Sequence, residues 1–151
     1  MMQFLKKLLG GWNFFARSSE SQGQCLPLDE VTGRFFFHKS DYSQLKLKPK
    51  PKIFRPNLEN NKLETSVCRV SNISEVRIWQ VGNKIRDPLK ACARADINIS
   101  AIVEVGLHAR VAPEDSYLEH AVIIGWPDEK DKQREICVGL AYNSMLVFPP
   151  D

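Results

Sequence analysis

The sequence predicts a small α+β domain, with about three helices packed on a mixed sheet, preceded by an amphipathic N-terminal helix. Short apolar runs bounded by turn residues recur along the chain, and capped helical patterns lie between some of them. The two kinds of segment alternate too irregularly for repeating strand–helix–strand units. At 151 residues, with 43% hydrophobic and 26% charged residues, the chain has the composition of one globular domain. The expected division is an arm and flexible linker over residues 1–25 and a single α+β domain over residues 26–151.

In the arm, Met1, Phe4, Leu5, Leu8, Leu9, Trp12 and Phe15 recur at the spacing of one helical face, while Gln3, Lys6, Lys7 and Asn13 fill the other. Gly10 and Gly11 weaken this helix by about 1 kcal/mol each. Phe4, Leu5, Leu8 and Trp12 are the candidate partner-binding residues. The same stripe suits docking on the chain's own domain, a groove in a protein partner, or a membrane surface met by residues 1–15. Gly10, Gly11 and Asn13 interrupt the apolar run and argue against a signal peptide. Residues 17–24, rich in Ser, Gln and Gly, read as a linker.

Within the domain, Arg34-Phe35-Phe36-Phe37-His38 is aromatic and strand-like. Residues 45–56 form a basic stripe in which Pro49, Pro51 and Pro56 forbid a helix or a central strand. An edge strand guarded by Lys and Pro is the leading expectation there. The alternative is a nucleic-acid-binding track of Lys46, Lys48, Lys50, Lys52 and Arg55, with Phe54 available for stacking. A strand is expected around residues 66–70, then a helix capped by Ser71 or Ser74 and breaking near Gly82. Residues 90–95 suggest a further strand, residues 101–105 a short helix ended by Gly106, and residues 107–111 an extended segment. The run His-Ala-Val-Ile-Ile-Gly-Trp-Pro at residues 120–127 reads as a buried strand, a turn at Gly125 and a helix opening at Pro127. That helix, over residues 128–143, is expected to bury Ile136, Cys137, Leu140 and Ala141 before a short strand at 145–148.

Motifs that carry chemistry are sparse. Cys25, Cys68, Cys92 and Cys137 are spread singly, so reduced and mostly buried thiols are expected rather than a metal site. His38, His108 and His120 are isolated from one another. A five-residue strand spans roughly 16 Å, which places His120 far from the helix N-terminus and near Cys137 on the returning helix. His120, Cys137 and Arg69 are the weak catalytic candidates, with imidazole activating the thiol. A structural, hydrogen-bonded His120 is the better expectation. Asp128, Glu129 and Asp131 occupy the start of the closing helix and would repel an anion there. No cofactor, metal or small-molecule ligand is indicated.

The net charge of +3 is uneven: residues 1–62 hold 11 basic and 5 acidic residues, and residues 63–151 hold 10 and 13. A basic front half suits an anionic partner or simply attracts the acidic back half.

Ser66-Val67-Cys68-Arg69, Ile78-Trp79, Ala93-Arg94-Ala95-Asp96-Ile97, Gly106-Leu107 and His120-Ala121-Val122-Ile123-Ile124-Gly125-Trp126-Pro127 with Lys130 together resemble a group of small bacterial proteins. That group carries a His-Ala-x-Ile-x-Gly-Trp-Pro-x-x-Lys stretch. The resemblance covers roughly residues 34–146 and implies a bacterial, cytoplasmic, single-domain protein. No activity is known for the group, so it implies no mechanism. The leading functional expectation is a small non-enzymatic interaction or accessory protein that holds a protein partner, peripheral to the membrane if the arm meets lipid. A nucleic-acid-binding protein and an enzyme of unrecognised type are the alternatives.

Overall fold

The computed structural model describes residues 23–151. The candidate partner-binding residues Phe4, Leu5, Leu8 and Trp12 therefore lie outside the described residues.

Neighbours Phe35 and Phe36 show how the domain is built. Successive strand residues point to opposite faces, and these two rings head two separate apolar cores, one on each side of a sheet. Burying each contributes about 1.5–3 kcal/mol. Within the described residues, seven strands form the sheet: β1 (Val31–Phe36), β4 (Asn57–Glu59), β5 (Lys62–Arg69), β6 (Ala93–Asn98), β7 (His108–Val111), β8 (His120–Ile124) and β9 (Met145–Val147). Their order is β7-β8-β5-β1-β6-β9, with β4 paired to β5. The α+β class is as expected. Within the sheet each recorded register is antiparallel, which refines the mixed sheet anticipated from sequence.

Helix α1 (Glu75–Ile85) covers one face with Ile78, Trp79 and Val81, against Phe35, Cys68 and Val70. Ser74 caps it by accepting from the Arg77 backbone N–H. Gly82 does not break the helix, which runs on to Ile85. Its missing side chain is instead needed for packing, because a Cβ there would meet the Phe35 ring at 2.4 Å. Helices α2 (Ile99–Glu104) and α3 (Lys130–Tyr142) cover the other face, where Ile97, Ile102, Ile123, Cys137 and Leu140 join Phe36. Gly106 and Gly125 close α2 and β8 at φ +88° and +91°, a region in which L side chains are strained. Pro127 lies before α3 rather than in its first turn, and Gln133 ties the approach down by donating from Nε2 to the Pro127 carbonyl at 2.8 Å.

The basic stripe is not an edge strand of the main sheet. Lys48–Pro49 forms β3, paired with β2 (Tyr42–Ser43) in a separate hairpin, and Pro51–Phe54 winds into a 3-10 helix. Ile53 and Phe54 are drawn into the core, which is why the segment coils rather than runs straight. Gln24 and Cys25, expected as the end of the arm and linker, already lie along β7 together with Leu26, the expected start of the domain: the Leu26 N–H donates to the Ala109 carbonyl and the Val111 N–H to the Gln24 carbonyl. Among the described residues no helix is long and apolar enough to cross a membrane.

Candidate functional site: a polar cleft where two strands part

β1 and β5 pair only at Thr32–Arg69 and Gly33–Cys68. Beyond those pairs β5 takes β4 as a partner, β1 stays with β6, and the 3-10 turn at Pro51–Phe54 lies at the resulting gap. Thr65 Oγ1 donates to the Phe54 carbonyl at 2.8 Å, and Arg34 bridges the gap. Its Nε donates to the Ile53 carbonyl at 2.9 Å and its Nη1 to the Ser66 carbonyl at 2.8 Å. The outcome is a cleft of about 820 Å³, on whose wall Arg34, Ser66, Arg86, Arg110, Tyr117 and His120 converge.

Arg34 is half-buried, and its two bonds go to neutral carbonyls. Among the described residues no carboxylate forms an ion pair with it, although a guanidinium carries five N–H donors. Burial holds its pKa below the ordinary value and the positive charge of Arg86 acts in the same direction, while Tyr117 and the Asp41 carboxylate act the other way. Two other cations of the cleft are matched: Lys52 lies 3.3 Å from Asp41, and Arg110 lies 3.9 Å from Glu64. The Arg34 and Arg86 charges face the cavity alongside exposed Glu59 and Glu114.

Ser66 is exposed although it stands mid-strand between buried Thr65 and Val67. Its Oγ lies 3.1 Å from His120 Nε2, and His120 Nδ1 lies 2.8 Å from the Ala112 carbonyl. A carbonyl only accepts, so Nδ1 carries a hydrogen, and in the neutral imidazole Nε2 is then the nitrogen that accepts from the serine hydroxyl. The Tyr117 ring packs on the imidazole at 4.9 Å. Burial pushes the Tyr117 phenol well above its usual range.

Of the catalytic candidates read from sequence, only His120 lines this cleft. Cys137 is on the opposite side of the sheet, 2% exposed in the core that contains Ala121 and Ile123. The expected closeness of the two fails because alternation turns His120 away from the helix its strand leads into. Burial also pushes the Cys137 thiol up to about 11, so it is no nucleophile near neutrality. Arg69 is held in a fork by Glu30, at 2.7 and 2.9 Å. The four thiols divide into buried Cys68 and Cys137, half-buried Cys92 and exposed Cys25.

The lysine track is likewise dispersed. Lys48 Nζ donates to the Tyr142 and Ser144 carbonyls at the end of α3, Lys52 pairs with Asp41, and Phe54, 0% exposed, has no face for a base. Lys46, Lys50 and Arg55 remain exposed. Among the described residues no group of three or more His, Cys, Asp or Glu side chains is arranged to hold a metal ion.

Sequence reasoning missed Arg34 and Ser66 as site residues, because each reads as an ordinary strand position. One signal was present: Asn60-Asn61, at φ 49° and 63°, is a favoured two-residue hairpin turn and marks the β4–β5 hairpin beside the cleft. Comparison with protein-family models, curated proteins and solved structures gives no match.

Proposed function

We propose that this domain is a binding module whose cleft takes a small ligand bearing a carboxylate or phosphate group. The observation that carries the reading is Arg34: a charged fork, fixed by two carbonyls at the gap between β1 and β5, with further donors and no carboxylate partner among the described residues. Leaving such donors unmatched costs stability, and an anion that accepts from them offsets that cost. Arg86 adds a second positive charge from the end of α1, and the carboxylates of Glu59 and Glu114 favour hydroxyl or amino groups elsewhere on the ligand. Titration calorimetry with inorganic phosphate and with succinate tests the reading. Saturable binding at about 1 mM or tighter, weakened in Arg86→Gln, is expected; no saturable binding, or binding indifferent to Arg86→Gln, contradicts it.

A second reading, a protein-interaction or accessory role, is favoured by an apolar surface where β3 meets α3 and β9. Leu45, 92% exposed, and Leu47 flank Lys46, while exposed Tyr142, Met145 and Phe148 lie on the elements that Lys48 and Tyr42 touch. Exposed apolar side chains on neighbouring elements suit a protein partner. Leu45→Asp with Tyr142→Asp should abolish capture of a host protein without lowering the melting temperature; unchanged capture would remove this surface from the account.

A further inference from the structure

We propose that Ser66 is a nucleophile activated by His120, and that the cleft catalyses acyl transfer from a carboxylic ester to water. Three features of the structure meet at Ser66. The hydroxyl is accessible from the cavity, although the strand residues on either side are buried. Its Oγ lies 3.1 Å from His120 Nε2, and the Ala112 carbonyl 2.8 Å from Nδ1 selects the neutral tautomer in which Nε2 accepts the serine proton. This is the arrangement of nucleophile, base and orienting acceptor that serine acyl transfer requires, with a backbone carbonyl in the orienting position. The third feature is Arg34, whose Nη1 donates to the backbone carbonyl of Ser66 itself, so that a guanidinium is anchored to the nucleophile's own residue on the wall of the same cleft. A positive charge held there without a carboxylate partner stabilises the negative charge that develops on the substrate carbonyl oxygen.

The step balances within these groups and water. Ser66 Oγ forms a bond to the acyl carbon while its proton passes to His120 Nε2. The bond from the acyl carbon to the alkoxy oxygen then breaks, and the departing alcohol takes that proton. Water, deprotonated by the same nitrogen, attacks the acyl-serine, the ester bond to Oγ breaks, and the proton returns to Oγ as the carboxylic acid leaves. No other co-reactant is needed.

The inference shares the cleft with the binding reading but does not depend on it, since an uncharged probe reports on Ser66 directly. The full chain is treated with a fluorophosphonate and the adduct located by mass spectrometry. An adduct on Ser66 is expected, absent from Ser66→Ala and from heat-unfolded protein, and formed roughly a hundred-fold more slowly in His120→Gln. The absence of an adduct on Ser66, or equal labelling of His120→Gln, overturns the proposal. Should His120→Gln fail to fold, Ser66→Cys supplies the second readout. Beside an imidazole the introduced thiol should react with iodoacetamide about ten-fold faster than exposed Cys25 of the same molecule, and equal or slower reaction overturns the proposal. Phosphate titration of Ser66→Ala separates the two ideas: retained binding without wild-type labelling sinks the nucleophile alone, and labelling without phosphate binding sinks the anion site alone.

Discussion

Arg34 Nη1 donates to the Ser66 carbonyl at 2.8 Å, at a level where β1 and β5 share no backbone pair. The side chain thus substitutes for a missing rung of the ladder. Hydrogen bonds from a charged donor contribute about 1.5–3 kcal/mol each, so Arg34→Met should lower the unfolding free energy by at least that amount. Arg34→Lys should recover little, because an ammonium lacks the fork that reaches both carbonyls. Urea unfolding measures this, and an Arg34→Met protein as stable as the parent would show the contact to be idle.

The two isoleucines of β8 should differ sharply. Ile123 is 0% exposed between the sheet and α3, whereas Ile124 faces the other side and is half-exposed. Ile123→Ala should therefore cost about 2–5 kcal/mol and Ile124→Ala less than about 1.5. Equal losses would mean that the alternation of this strand is misplaced.

Gly82→Ala tests packing against propensity. Alanine gains about 1 kcal/mol of helix stability over glycine, yet its Cβ would stand 2.4 Å from Phe35 Cε1. The Phe35 ring is itself set edge-on to Trp79 at 5.7 Å and has little room to yield. Overpacking of this kind costs about 1–3 kcal/mol, so the melting temperature should fall. A rise would show that the ring moves freely.

Acid should weaken the fold through two carboxylates on the α1 side. Hydrogen bonding by Arg94 holds Glu75 below its ordinary value of 4.5, and Arg77 does the same for Glu119. Depressed folded values mean that their contributions are complete above 4.5 and lost as pH falls through the folded values. Burial raises Asp96, which acts in the opposite sense and offsets part of the loss. Denaturant midpoints compared at pH 7 and 3 should fall on acidification, and Arg77→Gln should flatten the profile by removing the Glu119 part. A parent midpoint unchanged across that range would contradict this assignment.

The helices and strands were legible because their signals are local. Ser74 caps α1 as its residue type suggests, Gly106 and Gly125 occupy positive φ, and Ala121, Val122 and Ile123 of β8 are buried while Ile124 at its end is not. The site was not legible, because its contacts are made by register. Ser66 meets His120 across 54 residues and Arg34 meets Ser66 across 32. Neither spacing leaves a periodic trace in the sequence. Strand alternation, not register, leaves Cys137 on the side of the sheet away from His120. Gly82 misled for the opposite reason: the local rule for glycine was sound, but a ring from another element set its role.

The central claim is that the gap between β1 and β5 is the working surface of this domain. Mapping inorganic phosphate binding on the full chain by ¹H–¹⁵N correlation spectra, including the arginine Nε–H signals, tests it most directly. The account predicts saturable shifts concentrated at Arg34 Nε–H and the amides of Ser66, Arg86 and His120. Shifts confined to the exposed lysines of residues 46–50, or no saturable shift in the cleft, would contradict it.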